Sequence, residues 1–193
     1  MNQPPQPADD DLDADTDGQG HAEAAAEEVP KEADQVLAGI DALRQLGRTG
    51  ANWYFWVAGL SLVNSAIMLS GGNTHFVIGL GITFMADIMA NVIGQQHPEH
   101  AQMLKLGVLG FDLIVAAVVV GFALLSRKRF LFIFGLGMVL YLLDGLIFVW
   151  IQDWMSVAFH AYALYGLWGG VNAFRQLKQV EQALLLSAEA QPA

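Results

Sequence analysis

Four side chains able to take up or release a proton lie where a chain rarely keeps them. Asp87, Asp112, Asp144 and His160 each fall inside a long apolar stretch. An ionisable group facing hydrocarbon is costly, so such groups turn to a bundle interior, to one another or to water. Carboxyls with an imidazole can relay protons, hold a cation or ligate a divalent metal. Polar neighbours extend the set. Thr83, Asp87 and Asn91 recur every four residues and predict one helical stripe. Tyr141 shares a helix face with Asp144 and Gly137, and Ser156 and Asp153 share one with His160. Lys105 lies over Asp112, and Asn64 is an amide in the middle of the first apolar stretch.

The elements that must position these groups are predicted to be membrane helices. Five apolar stretches follow one another, 53–70, 75–93, 104–125, 130–151 and 154–173. Each suits a hydrocarbon core about 30 Å thick. Turn-forming residues separate them: Gly71-Gly72-Asn73, Gln95 to Glu99, Ser126 to Arg129, and Gln152-Asp153. From Ala51 to Asn172 the only charged residues are Asp87, Glu99, Lys105, Asp112, Arg127, Lys128, Arg129, Asp144 and Asp153. A water-soluble surface needs far more. The fold class expected is all-α: an integral membrane bundle of five transmembrane helices behind a disordered acidic N-terminal tail.

That tail, 1–34, is rich in Pro, Asp, Glu, Ala and Gln and holds too little apolar surface to offset its ordering entropy. The formal charge of the 193-residue chain is −10. Residues 1–50 carry 12 acidic and 3 basic side chains, or −9, so the acidity belongs to the tail and not to the bundle. Val36, Leu37, Ile40, Leu43 and Leu46 predict an amphipathic interfacial helix over 35–48, and 174–193 reads as an amphipathic C-terminal segment.

Counting spans sets the sides. Five crossings put the N-terminus, the 94–103 loop and the Gln152-Asp153 turn on one face, side A. The C-terminus and Arg127 to Arg129 fall on the other, side B. Trp53, Trp56, Trp150 and Trp154 then gather at side A as an interfacial belt. Basic residues favour side B as the cytoplasmic face, with the tail outside. By residue counting, Asp87, Asp112, Asp144 and His160 all lie roughly 9–12 Å below side A. They are therefore expected to form one polar layer, with Asn64 deeper.

The expected activity is proton or cation passage through this carboxylate–histidine site. Two alternatives stay open: a non-catalytic scaffold or accessory subunit whose polar groups only join helices, and an intramembrane metal hydrolase using Asp87, Asp112, Asp144 and His160 as ligands. His160 pairing with one of the carboxyls is the plain structural reading of the same residues. The chain has no cysteine, so disulfides and thiolate chemistry are excluded. There is no P-loop lysine, nucleophile elbow or serine triad, no cofactor is evident, and nothing points to nucleic acid. The partner expected is the lipid bilayer, with a homo-oligomer or a membrane protein partner left open.

The strings Ala58 to Ser65, Met138 to Gly145 and Phe159 to Tyr165 resemble those of bacterial multi-pass membrane proteins, a family without an assigned activity. The resemblance covers the apolar region and not the tail. It implies a helical membrane fold in a bacterial cytoplasmic membrane, and no site residue follows from it.

Overall fold

The computed structural model describes residues 17–70 and 79–190. The Gly71-Gly72-Asn73 turn, the start of the 75–93 stretch and the first part of the acidic tail lie outside the described residues. The chain divides into two compact units, 1–40 and 41–193. In the first, the backbone is helical from Asp17, where Ala22 to Glu28 is all alanine and glutamate, both strong helix formers. The second unit holds the apolar helices and all the candidate residues.

Among the described residues the regular structure is all helix, with no strand. The elements are α1 (Asp17–Leu69), α2 (Gly81–Gln96), a 3₁₀ turn (Pro98–His100), α3 (Ala101–Arg127), α4 (Leu131–Trp150) and α5 (Trp154–Glu189). Among the described residues two helices are long and apolar enough to cross a membrane, α3 with its preceding turn and α4. The expected interfacial helix 35–48 and the first apolar stretch are one helix, α1. Likewise the C-terminal segment continues α5 without a break. No proline or turn pair falls at either junction, so nothing stops the backbone there.

Side-chain contacts fix the helix directions. Along α1 and α5, Gly47 meets Phe174, Gly50 meets the backbone of Gly170, and Trp53 meets Gly166 and the edge of Tyr162, so the two run antiparallel. A Cβ at either Gly50 or Gly170 would strike the other's Cα. Glycine at both positions is what lets these backbones cross in contact. In α4 and α5, Phe134 lies against Phe174 and Tyr141 against His160, again antiparallel. It follows that α1 and α4 are parallel, joined where the Tyr54 hydroxyl donates to the Phe134 carbonyl at 2.8 Å. Helix α3 runs against α1, with Phe122 beside Tyr54 at one end and Asp112 beside Ser65 further along. Helix α2 runs with α1: Ser61 bonds Thr83 at 2.8 Å, Ser65 stands beside Asp87, and Leu69 shares a small cavity with Asn91.

This arrangement corrects the expected sides. Arg44 of α1 and Arg129, just before α4, both reach Glu181 of α5; one Arg129 bond is 3.0 Å and the Arg44 contact 3.7 Å. The Arg44 stretch of α1, the Arg127–Arg129 turn and the α5 extension therefore share one end. Arg127 also lies over the Phe55 ring, 5.9 Å from its centroid. The other end holds Leu69, the 97–105 connection and the 151–153 turn. Trp53 belongs to the half near Arg44, whereas Trp150 and Trp154 stand at the far end, so the four tryptophans do not form one belt. Five transmembrane spans are not shown. Helix α2 has 16 residues and is about 24 Å long, and it begins beside Ser61, in the last third of α1, heading the same way.

The half near Arg44 has an apolar core of Tyr54, Val57, Phe134, Leu167, Phe174 and Leu177. Polar groups concentrate in the other half. Both α3–α4 and α4–α5 are joined by tight turns, closed by Arg129 (φ 72°) and Gln152 (φ 62°) in the left-handed region.

Candidate functional site

The α2 N-terminus is placed by a carboxylate from another helix. Asp144 Oδ2 accepts the Gly81 N–H at 2.7 Å, and Oδ1 accepts the Ile82 N–H at 2.9 Å. The first turn of a helix has unsatisfied N–H groups and a partial positive charge, so an anion is favoured there. Gly81 permits the approach. A Cβ at this position would lie 3.0 Å from the Asp144 carbonyl oxygen and 3.0 Å from the Phe148 ring.

His160 completes the group. It is 3% exposed, with Tyr141 stacked on it at 4.4 Å and Phe148 at 5.0 Å. Gly145 leaves room for the ring, because a Cβ there would come within 3.0 Å of it. His160 Nδ1 lies 2.9 Å from the Ser156 carbonyl oxygen. A carbonyl only accepts, so Nδ1 carries a hydrogen. His160 Nε2 lies 3.2 Å from Asp144 Oδ2. With Nδ1 protonated, a neutral ring has a bare Nε2, and that contact would set lone pair against lone pair. It is favourable only with a proton between the two atoms. The proton can rest on Nε2, facing a carboxylate, or on Oδ2, facing a neutral imidazole. Oδ2 keeps a lone pair for Gly81 in both states, so transfer needs no rearrangement.

Ser156 is fixed in turn. Its hydroxyl donates to Asp153 at 2.6 Å and its N–H to the same carboxylate at 3.2 Å, which caps α5. The Asp153, Ser156 and His160 face is thus a chain of hydrogen bonds ending at the imidazole.

The other predicted residues form a second cluster. Asp87 lies six residues beyond Gly81, about 9 Å along α2. It is close enough to Asp112 for their charges to interact, and Ser65 stands beside both. Asp112 is 1% exposed and neither of its oxygens has a hydrogen-bond partner among the described residues. The neighbouring Ser65 hydroxyl is instead turned to the Ser61 carbonyl at 3.3 Å. Asn91 and Lys105 share with Asp87 a cavity of about 20 Å³. That volume has room for about one water molecule. Between the clusters lie the Ser61–Thr83 hydrogen bond and Asn64, which packs against Gly79.

The expected single layer is therefore two clusters at different heights: Asp144 with His160 and Tyr141, and Asp87 with Asp112, Ser65, Asn91 and Lys105. Asn64 is not deeper than a main layer but sits between them. Among the described residues no three His, Asp or Glu side chains converge as a metal-binding group. Sequence reasoning misses Ser61, Ser65 and Gly81. The i, i+4 pair of serines on the face that also carries Asn64 is the available signal.

Comparison with protein-family models, with curated proteins and with solved structures finds no match for this chain.

Proposed function

We propose that this is a multi-pass protein of a bacterial cytoplasmic membrane that passes protons between one membrane face and the buried His160–Asp144 pair. The membrane reading is supported by surface. Only 17% of the apolar window of α3 and 33% of that of α4 is buried, whereas the core helix of a soluble protein would be mostly covered. In this reading α1, α3, α4 and α5 cross the bilayer. Helix α2 is a half-helix starting at mid-depth, tolerated because its open N–H groups meet Asp144 and not lipid. Arg44, Arg48, Arg127, Lys128, Arg129, Arg175 and Lys178 fall at one end and Lys105 alone at the other, so the basic end faces the cytoplasm.

The observation that carries the proton reading is the 3.2 Å contact between His160 Nε2 and Asp144, which needs a proton to exist. The second cluster supplies a route from the Lys105 end: the one-water cavity at Asp87 and Asn91, then Asp112 and Ser65, then Ser61 and Thr83. The cavity's size favours protons over hydrated cations. Towards the cytoplasmic end the apolar core closes the path, so complete passage requires that half to open. The test is proton uptake by vesicles carrying the protein and an internal pH dye. The native chain is expected to acidify the interior faster than empty vesicles, with Asp144→Asn, His160→Gln and Asp112→Asn each slowed. Equal rates in empty vesicles, native protein and all three variants would end the proposal.

A scaffold reading is favoured by one observation, that Asp144 caps α2 and so has a structural task. It expects those substitutions to lower stability with no proton uptake to lose.

A further inference from the structure

Packing alone does not explain the second cluster. Helices α1, α2 and α3 meet there, bringing Ser61 and Ser65, Asp87, and Asp112 respectively. All four side chains are buried, Asp112 to 1% exposure. Ser65 stands beside both carboxyls, and the charge acting on Asp87 is that of Asp112, a like charge. Neither Asp112 oxygen meets a donor among the described residues. The Ser65 hydroxyl gives its hydrogen to the Ser61 carbonyl, 3.3 Å away, which leaves it only lone pairs for the acids. Three helices thus bring oxygen lone pairs together with no donor to satisfy Asp112.

Lone pairs gathered away from water need positive charge among them. Protons are one answer and a metal cation is the other. Two carboxyls and a hydroxyl are all oxygen donors, a set suited to a hard cation. They are few for a divalent ion. Calcium takes about six to eight oxygens, and magnesium keeps several waters, whereas the neighbouring cavity at Asp87 measures about 20 Å³. A monovalent ion that replaces one carboxyl proton adds no net charge to the low-dielectric interior. Close spacing of the acids around Ser65 favours a small one.

We propose that Asp87, Asp112 and Ser65 bind one bare sodium ion in exchange for one proton. The cation takes the carboxylate lone pairs, and the displaced proton leaves to water past Asn91, through the cavity that Asp87 also lines. Lys105 lines the same cavity. It lies two turns from Asp112 along α3, about 10 Å, and its charge opposes a cation. The proposal deepens the reading of the second cluster and does not depend on transfer between His160 and Asp144.

The test is equilibrium binding of radioactive sodium to the full-length protein in detergent, with choline chloride holding ionic strength constant. Saturable binding of one ion per chain is expected, with one proton released per ion in weakly buffered solution. Affinity should fall about tenfold per unit of pH on the acid side, and potassium should compete roughly tenfold less well than sodium. Asp112→Asn should abolish binding, and Ser65→Ala should weaken it roughly fivefold. Lys105→Gln, which removes the opposing charge, should tighten it roughly two- to tenfold. His160→Gln should bind sodium as the native chain does while losing proton uptake, which separates the two readings. No saturable binding above the choline background overturns the proposal, as does binding without proton release or displacement of sodium by an equal concentration of calcium. Those three comparisons use the native chain, so the result does not depend on a variant folding.

Discussion

Replacing Asp144 with asparagine isolates what this carboxylate does. Its oxygens serve three partners: the Gly81 N–H, the Ile82 N–H and His160 Nε2, at 2.7, 2.9 and 3.2 Å. An asparagine has one acceptor oxygen and one donor amide. With its NH₂ toward His160, it pairs with the bare Nε2 but sets a donor against the Gly81 N–H. With its NH₂ toward Ile82, that N–H is orphaned and the proton between residues 144 and 160 must sit on the ring. Either way one buried backbone donor is left unsatisfied, costing about 1–3 kcal/mol, and the charge-assisted character of the surviving bond is lost. For a chain of this size that is a fall in Tm of roughly 2–12 °C. Asp144→Ala abandons all three partners and should cost about 3–5 kcal/mol. Thermal unfolding in detergent, followed by circular dichroism, reads both. An asparagine variant within about 1 °C of the native protein would refute the capping argument, because no arrangement of that side chain satisfies every donor.

Other substitutions probe the frame. Gly50→Val puts branched carbons against the Gly170 backbone, so α1 and α5 must part; a loss of about 1–3 kcal/mol is expected in the same unfolding assay, and an unchanged Tm would show the crossing is not in contact. Hydrogen bonds from Arg129, helped by its charge and that of Arg44, hold the Glu181 carboxyl below the ordinary carboxylate range. Since the folded value is the lower one, this stabilisation is complete above the ordinary range and disappears as pH falls through the depressed value. Glu181→Gln should remove that acid-side decline, and identical pH–Tm curves for the two proteins would contradict the bridge. The native chain has no cysteine, so single cysteines at Lys178 and at Gln102 can be labelled in intact cells with an impermeant maleimide. Gln102→Cys should react and Lys178→Cys should not; the reverse pattern would invert the orientation.

What the residues disclose, and what they hide, has a physical logic. An aspartate in an apolar run is legible because hydrocarbon excludes it, so Asp87, Asp112, Asp144 and His160 stand out by type alone. Their grouping is not legible, because it depends on where each helix starts. The run from His75 to Ile93 reads as one span by hydropathy, yet α2 begins at Gly81, where Asp144 takes the first two free N–H groups. That start puts Asp87 about 9 Å along α2 from the Asp144 contact. The consequences reach Trp53, which counting puts beside Trp150 but which lies in the opposite half. They also reach Arg44, which counting separates from Arg129 although the two share Glu181. Gly79 and Gly81 mark the place, but a glycine that admits a neighbouring backbone looks the same in sequence as one that packs two helices.

The proton between His160 and Asp144 is open to direct measurement by ¹⁵N solid-state NMR of the histidine rings in lipid, with His160→Gln to assign the signal. Nδ1 should appear protonated, and Nε2 should carry a shift displaced by a shared proton, a shift that changes in Asp144→Asn. A ring with Nδ1 unprotonated, or an Nε2 signal indifferent to residue 144, would contradict the account.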